Sequence, residues 1–159
     1  MSDEPVIAAM AYRFERIRAG LDVGFSDPDF LARLHEARRG TWMSIPSSDT
    51  FPFAGEQFDV VVLERNAVTR EAVKEANRVL KPNGFMFFSV EAKARKHEGY
   101  TVAEIYKIIR DGFDIVEVKR PAWWRFGSCR WSITVCARKK AWKEPQQQFA
   151  SKWASPFVN

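Results

Sequence analysis

Between Phe58 and Leu63 the chain reads FDVVVL, and this run constrains the fold more than any other stretch. Strict alternation would mark a strand with one wet face, whereas a continuous apolar run rich in β-branched residues marks a strand buried on both faces, as at the centre of a parallel sheet. The residues that follow support that reading. Val68, Ala72, Ala76, Val79 and Leu80 recur at helical spacing, with Thr69 as N-cap. Lys81-Pro82-Asn83-Gly84 then supplies a helix stop and a turn, and Phe85 to Val90 is a second apolar strand. Strand, helix and strand in this order make one unit of an α/β sheet.

The flanking sequence extends the pattern. Val6, Ala9, Met10, Phe14 and Ile17 share one face of a leading helix over Val6 to Arg18. Leu21 to Val23 is a short strand, and Asp27 followed by Pro28 is a helix start, with Gly40 as its stop. Thr41 to Ile45 reads as another short strand, and Pro46 to Thr50 as a loop. TVAE at Thr101 to Glu104 is a capping box opening a helix that buries Val102, Ile105, Tyr106 and Ile109 and stops at Gly112. Phe113 to Val118 and Trp131 to Ala137 read as an antiparallel pair, a closing hairpin that adds one antiparallel strand at the edge of the sheet. The fold class is therefore α/β, a doubly wound, mostly parallel, Rossmann-like sheet with an antiparallel C-terminal hairpin. One domain over 1–140 and a tail over 141–159 are expected, since the 159 residues suffice for one core and not for two.

Composition narrows the functional classes. Hydrophobic residues at 46% and aromatics at 14% suit a packed core. The start, MSDEPVIAAMAYRFERIRAG, lacks the basic-then-apolar order of an export signal, and no apolar run approaches the ~18 residues needed to span a bilayer. A cytoplasmic protein without a membrane partner is expected. Cys129 and Cys136 form no CxxC pair, and His35 and His97 are the only histidines, so neither a metal centre nor a protease-like triad is expected. Both histidines read as surface residues. A net charge of +5 permits an anionic partner.

The phrases Ser48-Asp49-Thr50-Phe51-Pro52-Phe53, Phe58-Asp59-Val60-Val61-Val62 and Arg78-Val79-Leu80-Lys81-Pro82-Asn83-Gly84 resemble, in order and spacing, the second half of a class I S-adenosylmethionine-dependent methyltransferase of type 11. The resemblance extends over about residues 20–140 through Leu21-Asp22-Val23-Gly24 and the closing GFDIVEVKR and SITVCARKK. It implies S-adenosylmethionine as cofactor, held at the carboxyl ends of the strands. The implied cofactor-binding residues are Asp22, Gly24 and Ser26 in the turn after the first strand, Asp49 with Thr50 before the fourth, and Glu64 just past it. The two later glycines of the usual motif align with Ser26 and Pro28, and proline removes an amide. From Gly24 to Asp59 is 35 positions, where two βαβ crossovers need ~60, so one strand and one helix are missing. The acid that would hold the ribose at the end of strand two is expected to be lost with them.

Methyl transfer needs alignment of nucleophile and methyl group more than catalytic hardware, with a general base only where the nucleophile carries a proton. Glu64, Glu91, His97 and Tyr100 follow the fourth and fifth strands and are the candidate bases. No Asn-Pro-Pro-Tyr or Asp-Pro-Pro-Tyr phrase occurs after the fourth strand, which disfavours methylation of an exocyclic base amine. Two function classes remain open. One is an S-adenosylmethionine-dependent methyltransferase of unknown acceptor. The other is a non-catalytic pseudo-methyltransferase that binds protein or RNA. In the segment 119–143, Lys119, Arg120, Arg125, Arg130, Arg138, Lys139, Lys140 and Lys143 are interleaved with Trp123, Trp124, Trp131 and Trp142. That mixture suits base stacking and phosphate neutralisation, and equally a protein partner or a homodimer contact.

Overall fold

The computed structural model describes residues 17–37, 40–93, 98–119 and 132–140. The expected leading helix lies outside them except for Ile17 and Arg18, as do His97 and the tail 141–159. The elements are β1 (Ala19–Val23), α1 (Pro28–Ala37), β2 (Thr41–Ile45), β3 (Phe58–Leu63), a 3-10 turn (Arg65–Ala67), α2 (Arg70–Val79), β4 (Leu80–Glu91), α3 (Val102–Ile109), β5 (Phe113–Lys119) and β6 (Ser132–Lys139).

The helices start where polar side chains cover their free amides. The Asp27 carboxylate accepts from the N–H of Asp29 at 2.9 Å and of Phe30 at 3.3 Å, and the Thr69 hydroxyl accepts from Ala72 N–H at 3.0 Å. At α3 the expected capping box is closed on both sides, with Glu104 N–H on the Thr101 hydroxyl and Thr101 N–H on the Glu104 carboxylate. The predicted turn after α2 is a bulge inside β4. Pairing slips from Phe58–Leu80 to Val60–Phe85, and Asn83 takes φ 63° to absorb the extra residues.

The six strands lie in the order β2-β1-β3-β4-β6-β5. The β1–β2, β1–β3 and β3–β4 pairings are parallel, and β6 is antiparallel to both β4 and β5. Leu21, Val61, Met86 and Val135 face α2 and α3 in the larger core cluster, while Val60, Val62 and Phe87 face the side that α1 covers with Phe30 and Leu34. Burying each such side chain contributes roughly 1.5–3 kcal/mol.

Two expectations are corrected. The strand that closes the sheet is not at its edge: β6 is inserted between β4 and β5. Ile133 to Ala137 are all buried, whereas β5 carries Asp114, Glu117 and Lys119, charges that suit an edge. The absent unit is also not the one after β1. With a common doubly wound order of 3-2-1-4-5-6, the second strand is present as β2 beside β1, and the outermost third strand is the one absent. The acid at the end of strand two was expected to vanish with the missing unit. The chain instead passes from β2 to β3 through the single loop 46–57, so Asp49 both follows the second strand and precedes the next.

That loop is fastened to α2. The Glu75 carboxylate accepts from Phe51 N–H at 2.9 Å and from Arg78, whose guanidinium donates to Phe53 C=O at 2.7 Å and Phe51 C=O at 3.1 Å. Phe51 is thereby held in the core, and Phe53 packs edge-on against Phe58. At the start of β3, Asp59 takes the N–H of Ala19 at 2.9 Å and the Lys81 ammonium at 3.1 Å, locking the amino ends of β1 and β4 to β3. The Asp of FDVVVL and the Lys of RVLKP are thus structural.

Hydrogen bonding to Arg78, and secondarily to Phe51 N–H, lowers the Glu75 pKa from 4.5 to about 2. A carboxylate so depressed contributes stability that is present above pH 4.5 and is lost as the pH falls toward 2. After discounting for the exposed guanidinium, Glu75→Gln is expected to cost about 1–2 kcal/mol at neutral pH. Urea unfolding of both proteins as a function of pH should show their difference closing between pH 4.5 and 2.

Candidate functional site

Winding leaves β1 toward β2 and returns across it to β3, so the carboxyl ends of β1 and β3 flank the point where the order reverses, the usual crevice of such a sheet. Gly24 sits at its floor with φ +84°, a conformation that side chains disfavour. A Cβ there would lie 3.1 Å from Ala67 Cβ, 3.4 Å from Glu64 Cβ and 3.5 Å from Ser47 Cβ. The segments after β1, β2 and β3 therefore meet at one residue that must lack a side chain. Backbone bonds seal the junction: Gly24 N–H to Ile45 C=O and Glu64 N–H to Val23 C=O, both 2.9 Å.

One layer down, Asp22 is 0% exposed. It points to the α1 side of the sheet, where its Oδ2 meets His35 Nε2 at 2.9 Å and accepts from the Ser44 hydroxyl at 2.7 Å. Among the described residues Oδ1 has no hydrogen-bond partner. His35 is stacked on Trp42 at 5.3 Å, and Trp42 lies across β1 because Gly20 leaves room, a Cβ there falling 2.6 Å from the indole. The surface role expected of His35 is thus corrected. It is half-buried and holds a buried acid, which a carboxylate inside an apolar strand requires.

The other candidates spread along the mouth. Ser26 is exposed in the turn before α1. The Asp49 carboxylate accepts from the Thr69 hydroxyl at 3.0 Å, and Thr50 closes a small turn with Ser48. Glu64 caps the 3-10 turn by accepting Asn66 N–H at 2.8 Å. Arg65 bridges Glu91 at 2.8 Å and Glu64 at 3.5 Å. Two candidate bases therefore share one guanidinium, which sequence reasoning had not linked to them. Tyr100 donates to Val68 C=O at 3.4 Å, and its backbone pairs with Glu91 and Lys93. The structure thus gathers Gly24 with Glu64, and Glu64 with Glu91 through Arg65, while Asp22 lies beneath and Asp49 to one side. His97 and Trp123, Trp124, Trp131 and Trp142 lie outside the described residues. Within the basic segment, Lys139 donates to Leu80 C=O and Lys140 to Arg110 C=O, so both serve as ties.

Among the described residues no group of three or more His, Cys, Asp or Glu is placed to hold a metal, and no helix is long and apolar enough to cross a membrane.

Residues 21–88 match the family described as "Methyltransferase domain". No curated protein sequence matches the chain. Among solved structures, the chain resembles the methyltransferase that forms a complex with the Trm112 methyltransferase activator of Haloferax volcanii, at 16% identity and TM-score 0.65, covering 84% of this chain and 89% of that one. It also resembles a SAM-dependent methyltransferase from Aquifex aeolicus (14%, TM-score 0.66, 86% and 89%). A third is the N-methyltransferase NodS from Bradyrhizobium japonicum, in complex with S-adenosyl-L-homocysteine (15%, TM-score 0.60, 85% and 84%). At these identities the likeness is one of fold.

Removing the imidazole leaves the buried Asp22 carboxylate with Ser44 as its one remaining hydrogen-bond partner among the described residues. His35→Ala should therefore lose about 2–3 kcal/mol in urea unfolding at neutral pH. Gly24→Ala, forced to φ +84° with a Cβ against Ala67, should lose about 1–2 kcal/mol in the same measurement.

Proposed function

Because residues 21–88 belong to the methyltransferase-domain family and the whole sheet carries the class I fold, we propose that this protein binds S-adenosylmethionine at the crevice around Gly24 and transfers its methyl group. The observation that carries the reading is the convergence of three loops on a side-chain-free Gly24 at the switch point of the sheet. The positive φ and the absent Cβ let the three loops close against one another at the carboxyl ends of β1 and β3, the position where the resemblance puts the cofactor. The neighbour solved with S-adenosyl-L-homocysteine supports the ligand class.

The residues present fit that ligand in part. Gly24 supplies the cradle, and Asp49 and Thr50, exposed on the one loop between β2 and β3, stand where polar contacts to ribose or adenine would be made. Asp22, sealed beneath, holds the turn in shape through its bonds to α1 and β2. Pro28 opens α1 and gives no amide to the ligand. When bound, the cofactor supplies an electrophilic methyl carbon, and alignment of an acceptor with it is the main catalytic demand. Glu64 and Glu91, fixed by Arg65, and Tyr100, fixed to Val68, line the acceptor side. Of these, Glu91, with its side chain 43% exposed, is best placed to take a proton from an acceptor. The same reading places the protein in the cytoplasm.

A second reading, a non-catalytic module, is favoured by Ser26 and Pro28 in place of motif glycines and by the absent third strand. The Haloferax volcanii neighbour, solved with an activator protein, makes a protein partner part of both readings.

Calorimetric titration with S-adenosylmethionine and S-adenosylhomocysteine separates the two. Saturable heat with a dissociation constant in the micromolar range, about −8 kcal/mol, is expected. Asp49→Ala should weaken it by about tenfold, the worth of one charge-assisted hydrogen bond. Absence of heat and of thermal shift at millimolar ligand would leave the non-catalytic module.

A further inference from the structure

On the face away from α1, α2 and α3 leave a groove of about 560 Å³ that contains none of the candidate crevice residues. The two helices run parallel, because each leads from one strand to another of the same direction. Arg70 and Lys74 stand one turn apart on α2, and Lys107 and Arg110 stand three residues apart at the end of α3. Asp111 is the one acid among the lining residues, and it lies 3.5 Å from Arg110. Among the described residues Arg70, Lys74 and Lys107 have no ion-pair or hydrogen-bond partner. The floor is apolar, formed by Val73, Ile108 and Ile109.

We propose that this groove docks an acidic amphipathic helix of a partner protein. Two cationic rows with a spacing of about one helical turn flank an apolar floor. An incoming helix with acids on both flanks of an apolar stripe meets them in its own period. Charge complementarity of this kind sets partner choice and speeds encounter. Single-stranded nucleic acid fits less well, since it is held by exposed aromatic rings. The sole aromatic of the lining, Phe113, is 2% exposed. The surface is separate from the crevice, so the inference stands whether or not the cofactor binds.

The test uses the full chain and a fluorescein-labelled helical peptide of roughly 18 residues, with a leucine stripe flanked by glutamates, followed by fluorescence anisotropy at low salt. Saturable binding is expected. The double variant Lys74→Glu/Lys107→Glu should weaken it by about tenfold or more and should gain binding to the lysine-flanked version of the peptide. Lys119→Glu, on β5 and outside the groove, should leave affinity unchanged. Both lysines are exposed, so thermal melting of the double variant should match that of the parent and separate lost docking from lost folding. Failure of the acidic peptide to bind, or equal affinity for parent and double variant, overturns the proposal. An oligouridylate that binds through the same lysines while the acidic peptide does not would overturn it in favour of nucleic acid.

Discussion

The Glu75–Arg78 pair on α2 grips the backbone of Phe51 and Phe53, and the shortened half of the sheet depends on that grip. A doubly wound sheet of the usual size spends a strand and a helix between its second and fourth strands. Here residues 46–57 cross that distance alone, and a loop without ladder partners must satisfy its polar backbone some other way. The guanidinium does so by taking two carbonyls, and the carboxylate by taking an amide. With the backbone satisfied, Phe51 can enter the core and Phe53 can meet Phe58. The clamp thus converts a deletion into a fixed turn and brings Asp49 within reach of Thr69.

A second constraint is topological. Parallel neighbours force every strand of the left half to end on the same side, so the loops leaving β1, β2 and β3 compete for one volume. Gly24 resolves the crowding by having no side chain, and Gly20 does the same one step earlier for Trp42. Between them lies Asp22, whose alternation in the strand turns it away from Leu21 and Val23 and into the face covered by α1. His35 and Ser44 satisfy one oxygen of that carboxylate, and among the described residues none reaches the other. The junction is tight and polar at once.

Much of this was legible in the sequence. FDVVVL could only be a central strand, and the caps at Asp27, Thr69 and Thr101 announced themselves because short polar side chains before apolar periods have few other uses. The 35 positions from Gly24 to Asp59 told that a unit was absent, but chain length cannot say which strand of a sheet has gone. Strand order can, because β2 lies beside β1. The place of β6 was hidden for a related reason: antiparallel pairing is readable from two strands and a connection, whereas insertion between β4 and β5 depends on which of the two buries more apolar surface. At the site, Gly24 was legible and the role of His35 was not. A helix residue next to Leu34 looks like surface until a buried acid across the sheet is found to need it. Arg65 was legible as a residue just past the strand, but its bridge was not, because it joins Glu64 after β3 to Glu91 at the end of β4.

The bond between Asp49 and Thr69 joins a loop at the crevice to the first turn of α2. The Thr69 hydroxyl gives its hydrogen to Asp49 and accepts Ala72 N–H on its oxygen, so one side chain fastens the loop and starts the helix, and a helix start is worth about 1 kcal/mol. The same helix carries the clamp on the loop and one wall of the basic groove. One ten-residue helix is thus fastened to the loop 46–57 twice, through its N-cap Thr69 and through Glu75 with Arg78, while its other basic side chains, Arg70 and Lys74, are left to the groove.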